Sequence, residues 1–125
     1  MRHCLIVDDS DIIRRVAKKV LEDMHMTSTE AETADEALAA CKRAMPDLIL
    51  LDWHMPALPP HDFLGLLRHE PGGDHPVVIY CTSENDPADI GKARKHGANE
   101  ILMKPFDRES LEQKLRHAGF GSMAA

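Results

Sequence analysis

The sequence has few aromatic residues, few cysteines, no long apolar segment and no excess of positive charge. Aromatic residues make up 4% of the chain, and its three cysteines include no CxxC pair, which favours buried, reduced thiols over a redox role. No apolar run approaches the ~18–20 residues of a membrane-spanning helix, and no signal-peptide cleavage site follows the N-terminus. Lys and Arg number 15 against 21 Asp and Glu, a net charge of −6, which argues against direct binding to nucleic acid. We therefore expect a cytoplasmic protein without a membrane span or direct DNA binding.

The length of 125 residues fits one domain, because domains cluster near ~100–150 residues. We place this domain over residues 1–119. The last residues are mostly small, so we expect residues 120–125 to form a flexible C-terminal tail.

Short apolar runs alternate five times with longer segments of helical periodicity. In the first helical segment Ile13, Val16, Ala17 and Val20 predict one apolar stripe. This alternation is typical of right-handed βαβ crossovers, and hence of an α/β fold whose parallel sheet is covered by helices on both faces. The predicted strands are 3–7, 27–31 as an edge strand, 48–51, 77–81 and 101–103. The predicted helices are 11–24, 35–44, 61–69, one from Pro87 that Gly97 closes, and one capped by Asp107.

Polar residues follow four of these apolar runs directly. Asp8 and Asp9 follow the first strand, Asp52 the third, Thr82 the fourth and Lys104 the fifth. In a parallel sheet the carboxyl ends of the strands form the ligand site, so these side chains should converge. Carboxylates at such short range repel one another unless a cation intervenes. An all-oxygen site of this kind suits Mg²⁺, and a nearby lysine and hydroxyl suit the oxygens of a phosphoryl group.

Four motifs at these strand ends carry a family resemblance. Residues 3–118 resemble a response-regulator receiver domain, the phospho-acceptor part of two-component signalling. The resemblance implies a flavodoxin-like (βα)5 fold with a doubly wound five-stranded parallel sheet in the strand order 2-1-3-4-5. The motifs are Val7-Asp8-Asp9-Ser10, Leu51-Asp52-Trp53-His54-Met55-Pro56, Thr82, and Lys104-Pro105-Phe106.

The resemblance implies a role for each residue of the site. Asp52 would accept the phosphoryl group, Lys104 would pair with its oxygens, and the Thr82 hydroxyl would donate a hydrogen bond to one of them. We also expect the Lys104–Pro105 peptide bond to be cis.

The same resemblance implies a magnesium site. Asp9 and Asp52 would bind Mg²⁺ through their carboxylates, His54 through its backbone carbonyl, and Asp8 through a water molecule.

The partners implied are a sensor histidine kinase or a histidine phosphotransfer protein upstream and another protein downstream. The chain ends soon after its fifth predicted helix, so we expect a stand-alone, chemotaxis-regulator-like response regulator that signals by altered protein binding. Its output face would comprise the fourth helix, fifth strand and fifth helix, residues 89–117. Such a phosphoprotein catalyses its own phosphotransfer and autodephosphorylation but is not a conventional enzyme.

The sequence leaves three other functions as alternatives. A phosphorylation-independent adaptor with the same fold is the principal alternative. A phosphatase of the haloacid-dehalogenase kind would need a second aspartate at the position of His54. A flavodoxin-like mononucleotide binder would need a phosphate-binding loop where Asp8 and Asp9 repel phosphate.

Some features depart from the receiver pattern or lie outside its motifs. Pro59 and Pro60 replace the usual Asp-Gly pair, and Ile101 stands where many receivers have an aromatic residue. Ser83, Glu84 and His54 are either ordinary loop residues or determinants of phosphoryl lifetime. Two basic groups predict solvated faces or partner contacts: Arg14, Arg15, Lys18 and Lys19 on the first helix, and Lys92, Arg94 and Lys95 on the fourth.

Overall fold

Five parallel strands alternate with five helices along the chain, as the sequence predicts. The structure is a computed structural model that describes residues 2–52, 60–83 and 87–120. The strands are β1 (His3–Val7), β2 (Thr27–Ala31), β3 (Leu48–Asp52), β4 (Val77–Thr82) and β5 (Glu100–Met103). The helices are α1 (Asp11–Asp23), α2 (Ala34–Arg43), α3 (Pro60–His69), α4 (Pro87–Lys95) and α5 (Arg108–His117). The predicted elements agree with these bounds to within one or two residues.

The strand order is β2-β1-β3-β4-β5, which confirms the order implied by the resemblance. All four strand pairs are parallel, and β2 lies at an edge. After β1 the chain moves to one side of the sheet, and from β3 onward it moves to the other. The connections therefore diverge between β1 and β3, and a crevice forms at their carboxyl ends.

The core lies on both faces of the sheet because successive strand residues point to opposite sides. On one face Val7, Leu51 and Tyr80 pack among buried residues of α2, α3 and α4. On the other face Ile6 and Leu50 pack among buried residues of α1 and α5. Burial on both faces explains why β1, β3 and β4 are continuously apolar.

The apolar stripe predicted for α1 needs a correction. Val16 is 39% exposed, whereas Arg14 is 7% exposed. The buried positions of α1 are Arg14, Ala17, Val20 and Leu21, which recur every three or four residues and so share one face of the helix. Val16 is rotated away from that face. Arg14 is therefore not part of the solvated basic ridge that the sequence predicts, although Arg15, Lys18 and Lys19 are exposed.

Helix caps and chain ends complete the fold. The Ser10 side chain accepts a hydrogen bond from the Ile13 amide at the start of α1, and Asp107 caps α5 in the same way. Phe120 is 5% exposed and lies under the Arg2 guanidinium. Phe120 is therefore packed, although it lies in the segment 120–125 that the sequence predicts to be flexible. Within the described part of the chain, no helix has the length and hydrophobicity to cross a membrane.

Candidate functional site

Three aspartates meet at the carboxyl ends of β1 and β3. Val7 and Leu51 are register partners in these neighbouring strands, so the residues that follow them, Asp8 and Asp52, lie side by side. One carboxylate oxygen from each of Asp8, Asp9 and Asp52 falls within 4.8 Å of the others. Asp8 and Asp52 are each 3% exposed, whereas Asp9 is exposed to solvent. The predicted convergence of these carboxylates is present in the structure.

Lys104 lies between the two buried carboxylates. Its Nζ donates to Asp8 Oδ2 at 2.8 Å and to Asp52 Oδ1 at 3.0 Å. The lysine follows β5, and its amide donates to the carbonyl of Thr82 at the end of β4, at 2.8 Å. Thr82 itself is 4% exposed. The ends of four strands therefore bring together Asp8, Asp52, Thr82 and Lys104, as the motifs predict.

The charge of Lys104 is stabilised by its surroundings. Burial alone would lower the pKa of this lysine, but the hydrogen bonds to Asp8 and Asp52 and their negative charges have the opposite effect, and the pKa is raised. The ammonium group offsets the repulsion between the two buried carboxylates. The peptide bond between Lys104 and Pro105 is cis, which confirms the expectation.

Asp8 has several hydrogen bonds that fix its position. Its amide donates to the carbonyl of Ala31, and its Oδ1 accepts from the amide of Ser10 at 2.9 Å. Its backbone carbonyl accepts from Nη1 of Arg14 at 2.7 Å. The loop that carries both Asp8 and Asp9 is therefore held by contacts from β2, the start of α1 and Arg14.

Two buried side chains of β4, on opposite faces of the sheet, interact electrostatically with the charges of the site. Burial raises the pKa of Tyr80, and the negative charge of Asp52 raises it further. Burial also raises the pKa of Cys81 to about 12, although the positive charge of Lys104 opposes the shift. Both groups are neutral at physiological pH. Cys4, Cys41 and Cys81 are all buried free thiols, as the sequence predicts for Cys4 and Cys81.

Several predicted site residues fall outside the described part of the chain. His54, with its expected backbone contact to the metal, lies there, as do Pro59 and Glu84. Of the other loop and switch positions, Ser83 is exposed and Ile101 is half-buried against the core. The roles assigned to His54, Ser83 and Glu84 stay predictions.

Comparison with known proteins identifies the family. The response regulator receiver domain family matches residues 4–116. This chain belongs to that family. The receiver is 34% identical to the chemotaxis protein CheY-3 of Vibrio cholerae over 112 residues, covering 89% of this chain and 86% of that protein. It is 33% identical to the chemotaxis protein CheY of Pseudomonas aeruginosa, covering 89% of this chain and 90% of that protein.

Solved structures agree with this assignment. The structure of the chemotaxis response regulator CheY4 of Vibrio cholerae superposes with a TM-score of 0.89 at 30% identity, covering 94% of this chain and 98% of that chain. The receiver therefore has the fold of the chemotaxis response regulators. Proteins of this kind are signalling regulators rather than classical enzymes.

Arg14 is the residue of this region that the sequence analysis missed. The sequence groups it with Arg15, Lys18 and Lys19, because basic residues on a surface helix are usually solvated. One available signal was its spacing, since Arg14 precedes Ala17 by three residues and Leu21 by seven. That spacing places it on the buried face of α1.

Proposed function

We propose that Asp52 of this receiver accepts a phosphoryl group from a phosphohistidine of a partner protein. The phosphorylated receiver then signals by altered binding to another protein. The position of Asp52 is the observation that carries the proposal. Asp52 is buried at the end of β3, paired with Lys104 and within 4.8 Å of two further carboxylates. A structural ion pair would need one carboxylate, whereas Lys104 contacts two and the carboxylate of Asp9 lies within 4.8 Å of both.

In the proposed reaction a carboxylate oxygen of Asp52 attacks phosphorus. An O–P bond forms to Asp52, and the P–N bond to the donor imidazole breaks, so the imidazole leaves and takes up a proton. Hydrolysis later transfers the phosphoryl group to water and regenerates the carboxylate. Catalysis of this kind depends on positioning and on charge stabilisation rather than on a separate enzyme active site.

Lys104 and Thr82 supply groups for the phosphoryl oxygens. Lys104 Nζ already lies 3.0 Å from Asp52 Oδ1, close to where an attached phosphoryl group would lie. Exchange of a carboxylate contact for a phosphoryl contact keeps the lysine charge paired. Thr82 ends the neighbouring strand, and we propose that its hydroxyl donates to a phosphoryl oxygen. This rearrangement would connect phosphorylation with the start of α4.

The three aspartates fit a magnesium site. Their carboxylate oxygens are hard ligands that suit Mg²⁺, and their separation permits shared coordination. We propose that Asp9 and Asp52 hold the ion directly, with the His54 backbone carbonyl, and that Asp8 acts through a water molecule. The ion would neutralise negative charge on the phosphoryl oxygens.

The phosphohistidine partner is proposed to be a sensor histidine kinase or a histidine phosphotransfer protein in the cytoplasm. The exposed face of α1 beside the site supports a protein partner. Ile12 is 72% exposed and Val16 is 39% exposed, and Arg15 lies between them at helical spacing. An apolar patch with an adjacent positive charge suits a helical protein surface better than a small molecule.

We propose that the downstream protein binds to the face formed by α4, β5 and α5. A groove of about 400 Å³ lies between β5 and α5 and is lined by Met103, Lys114 and His117, among others. Met103 is 40% exposed, and Lys92, Arg94 and Lys95 carry positive charge on α4. A downstream protein with acidic and apolar groups would match this face.

Labelling with acetyl phosphate and Mg²⁺ tests the proposed function. The wild-type chain should acquire one acid-stable, hydroxylamine-sensitive phosphoryl group, and Asp52→Asn should acquire none. Asp74→Asn is the matched control, because it removes the same charge at an exposed position in the turn between α3 and β4. Labelling of Asp52→Asn at another residue would overturn the assignment. An unlabelled wild-type chain that still binds its downstream protein would favour the adaptor function.

A further inference from the structure

Arg14 is a buried cation at the edge of the acidic site. Its side chain is 8% exposed, and its guanidinium contacts one backbone carbonyl and three carboxylates. The carboxylates of Asp11, Glu30 and Glu32 lie on its outer side and are largely solvent-exposed. These ion pairs join a buried guanidinium to carboxylates that stay in contact with solvent. The inward contact, from Nη1 to the carbonyl of Asp8, is the buried one.

The carbonyl of Asp8 lies where the sheet stops. The amide of Asp8 still donates to Ala31 O at 3.1 Å, but β1 and β2 end at Val7 and Ala31. A buried carbonyl beyond the last strand pair needs another donor. Arg14 is that donor, and its planar fork holds the carbonyl while its other nitrogens contact Glu30 and Glu32 on or just after β2.

A hydrogen bond to the Asp8 carbonyl also determines the position of the Asp9 backbone. The carbonyl of Asp8, the amide of Asp9 and the Cα atoms of both residues lie in one peptide plane. If the carbonyl oxygen is fixed, the plane and the Cα of Asp9 are fixed as well. Among the described residues, Asp9 itself has no side-chain hydrogen bond or ion pair that would orient its exposed carboxylate. Its direction therefore depends on the backbone.

We propose that Arg14 is a positioning residue that holds the Asp8–Asp9 peptide in the orientation required for divalent metal binding. The inference rests on the proposed function, since Mg²⁺ is the ion expected at the three aspartates. Arg14 acts through the backbone and does not contact the metal. It is thus a specific support for Asp9 rather than a general source of positive charge.

The direction in which the Mg²⁺ affinity changes when Arg14 is replaced distinguishes this positioning role from a purely electrostatic one. Loss of a positive charge near three carboxylates should by itself strengthen cation binding. Loss of a support for a metal ligand should weaken it, by about tenfold for a typical outer contact. The two effects oppose each other, so a weaker Mg²⁺ complex in a folded Arg14 variant cannot be explained by the lost charge.

The experiment is calorimetric titration of the metal-free chain with Mg²⁺. Arg14→Met removes the donors and the charge at similar side-chain length, and we expect its Kd to rise about tenfold. Arg15→Met is the matched control on the same helix, because Arg15 is exposed and has no ion pair within the described residues. Its affinity should be unchanged or slightly higher. A Kd for Arg14→Met equal to or lower than that of Arg15→Met would overturn the proposal.

A second variant and a second readout separate positioning from loss of folding. Arg14→Lys keeps the charge but not the planar guanidinium, so its Kd for Mg²⁺ should also rise. A folded Arg14→Lys chain with wild-type affinity would overturn the proposal even if Arg14→Met did not fold.

In acetyl phosphate labelling, Arg14→Met should need more Mg²⁺ for half-maximal rate but reach the wild-type rate at saturating Mg²⁺. A lower saturated rate with unchanged Mg²⁺ dependence would contradict the inference. If the wild-type chain binds no Mg²⁺, the proposed function itself fails.

Discussion

The two ends of the sheet differ in how their polar groups are paired: negative charges concentrate at the carboxyl end, whereas the polar groups at the amino end have complementary partners. At the carboxyl end, Lys104 contacts Asp8 and Asp52, and Asp9 adds a third negative charge that no described residue balances. At the amino end, Asp47 Oδ2 accepts from the amide of His3 and its Oδ1 contacts His75 Nε2, both at 2.8 Å. The His3 ring contacts the hydroxyls of Thr27 and Thr29 at 2.6 and 2.7 Å.

This difference means that the amino end of the sheet stabilises the fold, whereas the carboxyl end is arranged for function. Each polar group named at the amino end has a complementary partner, so that end should contribute to stability in any solution near neutral pH. The carboxyl end concentrates like charge, which costs stability until a cation binds. Substitutions at the two ends should therefore differ in their dependence on Mg²⁺, which the variants Lys104→Met, Asp47→Asn and Asp9→Asn test.

Loss of Lys104 should have the largest effect. Lys104→Met leaves Asp8 and Asp52 buried without their cation, and we expect a loss of about 3–5 kcal/mol in the free energy of unfolding without Mg²⁺. Millimolar Mg²⁺ should restore part of that loss, because it supplies positive charge at the same carboxylates. Urea unfolding with and without Mg²⁺ measures both quantities. Lys19→Met, which removes an exposed lysine 3.7 Å from Asp23, should change little. A Lys104→Met chain as stable as the wild type without Mg²⁺ would contradict the comparison.

Loss of Asp47 should destabilise the protein by about 1 kcal/mol without changing its affinity for Mg²⁺. Asp47→Asn weakens the contacts to His3 and His75 at the end of the sheet opposite the proposed metal site. Asp74→Asn, one residue before His75, is the control and should have little effect. A weaker Mg²⁺ complex in Asp47→Asn would show that the two ends are coupled.

The stability lost in Asp47→Asn should depend on pH in a predictable direction. The hydrogen bond from His75, and then that from the His3 amide, lower the pKa of Asp47 below its usual 3.8, although burial acts in the opposite direction. A lowered pKa stabilises the folded chain above the unfolded pKa, and the contribution disappears as the pH falls through the folded value. The stability difference between wild type and Asp47→Asn should therefore shrink as the pH falls below 3.8. Thermal unfolding at a series of pH values measures it.

Removal of the Asp9 charge should have the smallest effect on stability and the opposite sign. Asp9→Asn relieves repulsion with Asp8 and Asp52, and we expect a gain of roughly 1 kcal/mol or less in metal-free solution. The same variant should bind Mg²⁺ more weakly, so added Mg²⁺ should stabilise it less than the wild type. Thermal unfolding with and without Mg²⁺ provides the test. A destabilised Asp9→Asn would mean that Asp9 has a structural role.

Most of the site could be predicted from strand ends alone. Asp8, Asp52, Thr82 and Lys104 each end or follow an apolar run, and parallel strands must bring such positions to one edge of the sheet. The distances could not be predicted, because they depend on which strands are neighbours. Asp52 lies beside Asp8 because β3 pairs with β1, although 43 positions separate the two residues in the sequence.

The helix facing the site was harder to predict. The apolar pattern of α1 locates the helix but includes Val16, which is exposed, and excludes Arg14, which is buried. Helical periodicity identifies a face only by its average hydrophobicity. The first turn of α1 instead packs against polar backbone at the end of β1, where a guanidinium satisfies a carbonyl that a leucine would leave without a donor.

The sequence by itself determined the alternating fold, the five strands and the set of acidic, hydroxyl and lysine residues at their ends, because periodicity and strand polarity are local properties of the chain. Only the tertiary structure decided that Lys104 bridges Asp8 and Asp52, that Arg14 lies beneath its carboxylate partners and contacts the Asp8 carbonyl, and that Phe120 belongs to the core. Each of these depends on contacts between elements distant in sequence or on which side of a helix meets the sheet.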